Sequence, residues 1–106
     1  MSSPVSGNNL RKKAYLKALP LRSLDDIEVI KDELKSGNIL ILRVTPLARK
    51  SVEDVKKAVN ELYEFTSSIG GDIARLGEER VVIVPNSVII WREKDVVSKE
   101  KAATAA

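Results

Sequence analysis

The stretch Ile69-Gly70-Gly71-Asp72-Ile73-Ala74-Arg75-Leu76-Gly77 fixes how the second half of this chain can fold. An amphipathic pattern ends just before it, an alternating strand pattern begins inside it, and Gly77 turns that strand back on the next. Glycine accepts positive φ without a Cβ penalty. Gly70 therefore suits the end of a helix, and Gly71 the release of the chain into a sheet. The stretch predicts a helix, a short break and a β-hairpin in immediate succession.

The helix before the break starts at Ser51, a good N-cap. Val55, Ala58, Val59, Leu62, Phe65 and Ile69 build its apolar face, while Glu53, Lys56, Lys57, Asn60, Glu61 and Glu64 lie outside it. Glu53 and Lys57 are spaced for an i,i+4 ion pair. After the break, Asp72 to Leu76 pairs with Arg80 to Val84, Pro85-Asn86 turns the chain, and Val88-Ile89-Ile90-Trp91 reads as a last apolar strand.

Upstream, Ala14 to Leu19 alternates as a strand with one face buried, Tyr15 and Lys17 on one side and Leu16 and Ala18 on the other. Pro20 closes it. Ser23 is the expected cap of a helix whose first turn carries Asp25, Asp26 and Glu28, charges that suit the positive end of the dipole. Leu24, Ile27, Ile30 and Leu34 recur at helical spacing, and Gly37 stands at the stop position. The run Ile39-Leu40-Ile41-Leu42 predicts a strand buried on both faces, followed by a loop over Thr45 to Lys50.

The resulting order, β-α-β-α-β-β-β, is that of an α/β two-layer sandwich with both helices on one face of a mixed sheet. The opposite face then carries apolar side chains that want to leave water. A homodimer packed sheet to sheet is the simplest remedy, with Ile39, Ile41, Val82, Val84 and Ile90 as interface candidates. Composition points the same way. The folded part, residues 13–93, is flanked by a polar N-terminal tail over residues 1–12 and a disordered or frayed tail over residues 94–106. A domain of about 80 residues buries only about 60% of its extended-chain surface, so a partner subunit helps it.

The residues exclude much chemistry. With Cys 0 and His 0, thiolate nucleophiles, disulfides and the commonest general base and metal ligand are missing. The adjacent carboxylates Asp25-Asp26 and Glu78-Glu79 point apart into solvent, and no Walker-type loop or dinucleotide fingerprint occurs. Neither an enzyme nor a cofactor is expected. The net charge of +3 comes from interspersed Lys/Arg and Asp/Glu, a mixed-charge surface. No apolar run reaches membrane-spanning length and no leader pattern precedes the first strand, so a cytoplasmic location, with a place at the division site on the resemblance below, is expected.

From about Lys13 to Trp91 the chain resembles the SepF cell-division core domain. The similarity rests on an apolar strand after a capped helix, a second helix running into Ile69-Gly70-Gly71-Asp72-Ile73, then Arg75-Leu76-Gly77, and a strand ending in Pro85-Asn86. It implies a dimeric α/β sandwich, a non-enzymatic adaptor that binds the C-terminal tail of the tubulin-like protein FtsZ and tethers it to the membrane. It also implies that the region of Gly70 and Gly71 assembles dimers into higher oligomers. The family's N-terminal amphipathic anchor has no counterpart in Met1 to Lys13, where Leu10 stands alone among polar and basic residues, so direct membrane binding is not expected of that segment. For an acidic tail the candidate contacts are Lys56, Lys57 and Tyr63, on the exposed side of the second helix. The competing reading is a small basic nucleic-acid-binding dimer of the Alba-like kind, with Arg11, Lys12, Lys13, Arg49, Lys50 and Arg75 on phosphates.

Overall fold

A computed structural model describes residues 13–93. The elements are β1 (Leu16–Pro20), α1 (Asp26–Lys35), β2 (Ile39–Arg43), α2 (Thr45–Lys50), α3 (Val52–Ser68), β3 (Asp72–Leu76) and β4 (Arg80–Val84). They form a mixed sheet in the order β1-β2-β4-β3, with β1 parallel to β2 and the other neighbours antiparallel.

One layer of this α/β fold is as the periodicity predicts. Leu40 and Leu42 of β2 and Val81 and Ile83 of β4 are buried against Ile27, Ile30 and Leu34 of α1 and Ala58 and Leu62 of α3. Each buried Val, Leu or Ile among them contributes roughly 1.5–3 kcal/mol, and Ala58 less. Val55, Phe65 and Ile69 pack at the margin of this core. Ser51 caps α3 as expected, accepting from the Asp54 N–H at 3.1 Å.

Five details differ from the sequence reading. Thr45–Lys50 is a short helix, because Pro46 sits at its start, where its missing N–H costs nothing, and Leu47 anchors it in the core. Helix α1 starts two residues later than Ser23 implied: Asp25 is its N-cap, and the Asp26 carboxylate accepts from the Arg22 and Ser23 N–H groups instead. Glu53 meets Lys56, at 4.0 Å, rather than Lys57. In β1, Leu16 and Ala18 are exposed, while Lys17 and Leu19 turn to the helices and are half-buried. Finally, residues 88–91 make no strand: Ile89 and Trp91 are 84% and 82% exposed.

Lys17 on the helix side is tolerated because a polar clamp receives it. Its Nζ donates to Glu33 at 3.0 Å, the Asn38 amide donates to the other Glu33 oxygen at 2.7 Å, and the Tyr15 N–H donates to Asn38 Oδ1 at 3.0 Å. Lys17 first, and Asn38 second, hold the Glu33 carboxyl below its ordinary pKa. The clamp ties the edge strand β1 to α1 and to the start of β2. A second link joins the helices, with Lys31 on Glu61 at 2.9 Å and 5.4 Å from the Phe65 ring centre. Glu61 is the main cause of the raised Lys31 pKa, with Glu28 adding to it.

Candidate functional site

The strand register lays out the sheet face that no helix covers. Its central row runs Ala18, Ile41, Val82 and Ala74 across the four strands, entirely small or apolar. One flanking row runs Pro20, Arg43, Arg80 and Leu76. The other begins with Leu16 and Ile39 and ends with Val84 and Asp72. Of the residues predicted on this face, Ile39, Ile41 and Val82 are half-buried within a single chain. Val84 is 2% exposed although it stands outside the main core cluster.

The chain itself explains Val84. After Pro85-Asn86 it returns towards β3, where the half-buried Ile90 donates its N–H to Asp72 Oδ2 at 3.3 Å. Arg92 completes the attachment through Asp72 and the Ile73 carbonyl. The returning segment thus lies over the Val84–Asp72 corner and presents Ile89 and Trp91 outward.

On the helix side, α3 and β3 enclose a groove of about 370 Å³ lined by Val55, Lys56, Val59, Asn60 and Arg75. Alternation along β3 points Arg75 towards α3 while Ala74 and Leu76 point away. Helical spacing puts Lys56, Asn60 and Tyr63 on one stripe, so Tyr63, 57% exposed, continues the line of the groove. Lys57 is exposed but does not line it. Two valines between two cationic side chains offer an apolar floor and charge of one sign, a setting for an extended acidic peptide with an apolar residue. The sequence offers Arg75 only as a phosphate contact, and its strand parity is what places it at this groove.

The two predicted glycines do different work. Gly70 has φ +75° and ends α3, and a Cβ on it would meet only the Asn86 side chain, at an ordinary 3.5 Å. Gly71 donates to the Thr66 carbonyl at 2.9 Å, and a Cβ on it would overlap the Val84 carbonyl oxygen. Of the cations in the nucleic-acid reading, Arg11 and Lys12 lie outside the described residues, Lys13 precedes β1, Arg49 and Lys50 end α2, Lys50 Nζ donates to the Arg22 carbonyl at 3.2 Å, and Arg75 Nη2 donates to the Glu78 carbonyl at 3.0 Å. Among the described residues, no helix is long and apolar enough to cross a membrane.

Comparison with known proteins identifies this arrangement. The family described as cell division protein SepF matches residues 17–90. Cell division protein SepF of Haloferax volcanii is 30% identical over 71 residues, covering 65% of this chain and 58% of the relative. That of Halalkalibacterium halodurans is 33% identical over 84 residues, covering 79% and 54%. The chain thus spans somewhat over half the length of these relatives. Among solved structures, the SepF-like protein from Pyrococcus furiosus superposes with a TM-score of 0.69 at 35% identity, covering 76% of this chain and 98% of the other. Cell division protein SepF from Methanobrevibacter smithii, in complex with FtsZ-CTD, shares the fold with a TM-score of 0.66 at 21% identity, covering 74% and 99%. The family match, which spans the glycine stretch and the strands around it, decides between the two readings of the sequence: this chain belongs to the SepF family of cell division proteins.

Proposed function

We propose that this chain is a non-enzymatic, dimeric adaptor acting in the cytoplasm at the division site, where it holds the acidic C-terminal tail of FtsZ. The observation that carries the reading is the α3–β3 groove, in which Val55 and Val59 lie between Lys56 and Arg75. The apolar floor takes a hydrophobic side chain of the tail, the two cations take its carboxylates, and Tyr63 extends the contact along α3. The fold it shares with the FtsZ-CTD-bound SepF from Methanobrevibacter smithii supports this choice of partner.

Dimerisation follows from the other side of the sheet. The row Ala18, Ile41, Val82 and Ala74 is small or apolar throughout, and a second copy removes it from water. Gly70, exposed at the end of α3, is then available for contact between dimers, which is the route to higher oligomers.

The direct test is fluorescence anisotropy of a labelled FtsZ tail peptide titrated with the protein at moderate salt, with duplex DNA as competitor. Micromolar binding that DNA does not displace is expected. Binding to DNA with none to the peptide defeats the adaptor reading.

A further inference from the structure

The two edges of the sheet are finished differently. On β3, side chains meet the groups that point away from β4: the Ile73 N–H donates to Asp72 Oδ1 at 2.9 Å, and the Ile73 carbonyl accepts from Arg92 at 3.1 Å. On β1 such groups are bare. The Tyr15 carbonyl accepts from the Ile39 N–H at 2.8 Å and the Leu21 N–H donates to the Arg43 carbonyl at 2.9 Å, so the alternate residues between them, Lys17 and Leu19, also face β2. Leu16 and Ala18 therefore turn their N–H and C=O groups outward, without a hydrogen-bond partner among the described residues. Such a row is a template for one more strand.

Each face of this edge has a recess at the same end of β1. On the helix side, Leu19, Val29 and Ile30 form the apolar part of a cavity of about 160 Å³, with Arg22 and Asp26 at its rim. On the open side a cavity of about 220 Å³ runs over Ala18, Pro20 and Ile41 to Arg43 and Arg80. Pro20 is in register with Arg43, and Arg43 with Arg80. Neither arginine has an ion pair among the described residues, and like charges directly opposite each other repel.

These features specify what fits. A strand added antiparallel to β1 exchanges hydrogen bonds with Leu16 and Ala18, and its side chains alternate between the two faces. The residue across from Pro20 points to the open face, two strand spacings or about 10 Å from Arg43, a gap that a glutamate and an arginine span between them. The next residue, across from Leu19, points to the helix side, where the Asp26 carboxylate disfavours a second acid and Leu19 and Val29 favour an apolar side chain. β1 itself holds no acidic residue, so the same strand of a second copy leaves the arginines unanswered.

We propose that the outer edge of β1 receives an extended segment of a partner protein as an antiparallel strand, with an acidic side chain over Pro20 towards Arg43 and Arg80 and an apolar one in the recess between Leu19 and Val29. This surface is separate from the α3–β3 groove and gives the domain a second peptide site on its opposite edge.

The probe is an acetylated, amidated peptide Ser-Glu-Val-Thr-Val-Val-Ser, titrated into the isotope-labelled full chain while amide shifts and amide exchange are followed by NMR. One control peptide has lysine for its glutamate, and another is N-methylated at alternate residues on the edge that meets β1. Saturable shifts and slowed exchange at Leu16 and Ala18 are expected, at least about ten-fold weaker with the lysine peptide and absent with the methylated one. With both Arg43→Gln and Arg80→Gln in place, the glutamate and lysine peptides are expected to bind alike. No saturation in the millimolar range, equal binding of the two charged peptides to the unaltered chain, or shifts confined to the α3–β3 groove overturns the proposal and leaves the groove reading standing. Slowed exchange at Leu16 and Ala18 that follows protein concentration alone assigns the edge to a second copy and overturns it as well.

Discussion

The Arg92 guanidinium holds the Asp72 carboxylate with both of its terminal nitrogens, Nη1 to Oδ2 at 2.9 Å and Nη2 to Oδ1 at 3.2 Å. The same carboxylate accepts from the N–H groups of Ile73 and Ile90. One acidic residue at the start of an edge strand thus fixes where the chain runs after β4. It also covers part of an edge that would otherwise offer unpaired backbone groups.

That clamp has a pH signature. Arg92 first, then the backbone N–H groups, hold the Asp72 carboxyl below its ordinary pKa, with burial opposing them. A carboxyl depressed in the folded state contributes its full stability above the ordinary aspartate value of about 3.9 and loses it as pH falls through the depressed value. Trp91, the one tryptophan, is the adjacent reporter. Its fluorescence anisotropy is expected to be flat from neutral pH down to about pH 5 and to fall only in stronger acid. In Arg92→Gln it is low already at neutral pH. Wild-type anisotropy in that variant means the segment is held by something else.

Gly71 and Gly70 separate by stability. Gly71→Ala drives a methyl into the Val84 carbonyl and against Thr66, neither of which is free to move, and is expected to cost about 3 kcal/mol or more. Gly70→Ala meets only Asn86 at van der Waals distance and carries the left-handed backbone penalty, about 1–2 kcal/mol. Thermal denaturation reads the difference, at about 4–8 °C per kcal/mol for a domain of this size. Equal melting temperatures would contradict the close approach of Gly71 to β4. The ranking bears on any assembly experiment: loss of oligomers on changing Gly71 reports on the fold, whereas Gly70 tests the contact between dimers.

The helices and the two inner strands were legible because their burial is periodic: Ile27, Ile30 and Leu34, or Leu40 and Leu42, can face only one way. Thr45–Lys50 was not, since six residues hold less than two helical turns and Leu47 is its one buried side chain. The run at 88–91 misled in the opposite direction. Apolar composition stood in for a pairing partner, yet the outer edge of β3 is taken by Asp72 and Arg92 contacts, leaving that run without a ladder. The role of Asn38 in the Lys17–Glu33 clamp leaves no periodic signal, because it depends on contacts between residues distant in sequence. Lys56 in the groove and Tyr63 beyond it lie on the exposed side of α3 that helical spacing marks. Arg75 carries no such mark, because its partner surface is formed only when β3 folds back on α3.

The open face predicts a change of oligomeric state. Ile41 is half-buried at the middle of the apolar row, beside Val82. Ile41→Lys leaves the single-chain core intact and places an ammonium where a second copy must dry the surface, so monomers or aggregates are expected by light scattering. Ile90→Lys acts at the corner near Asp72 and is expected to weaken dimers as well. A well-folded dimer carrying both changes is incompatible with sheet-to-sheet packing.

The groove predicts an ordering of charge reversals along α3 and β3. Lys56 lines it from α3 and Arg75 from β3, whereas Lys57 is on a neighbouring stripe of the same helix, also exposed and of the same charge. Long-range attraction for an acidic tail changes equally with each substitution, and only contact distinguishes them. Lys56→Glu and Arg75→Glu are therefore expected to weaken peptide binding at least about ten-fold, equivalent to about 1.4 kcal/mol, while Lys57→Glu costs no more than the general charge effect. Tyr63→Ala lies between, since it extends the contact without forming the floor. Raising salt should reduce the penalty of Lys57→Glu towards zero and leave a residual one for the other two, because close pairs in a partly desolvated groove are screened less than separated surface charges. Equal penalties for all three reversals would reduce the groove to a bystander in a uniformly basic surface and move the search for the tail site to another face of the domain.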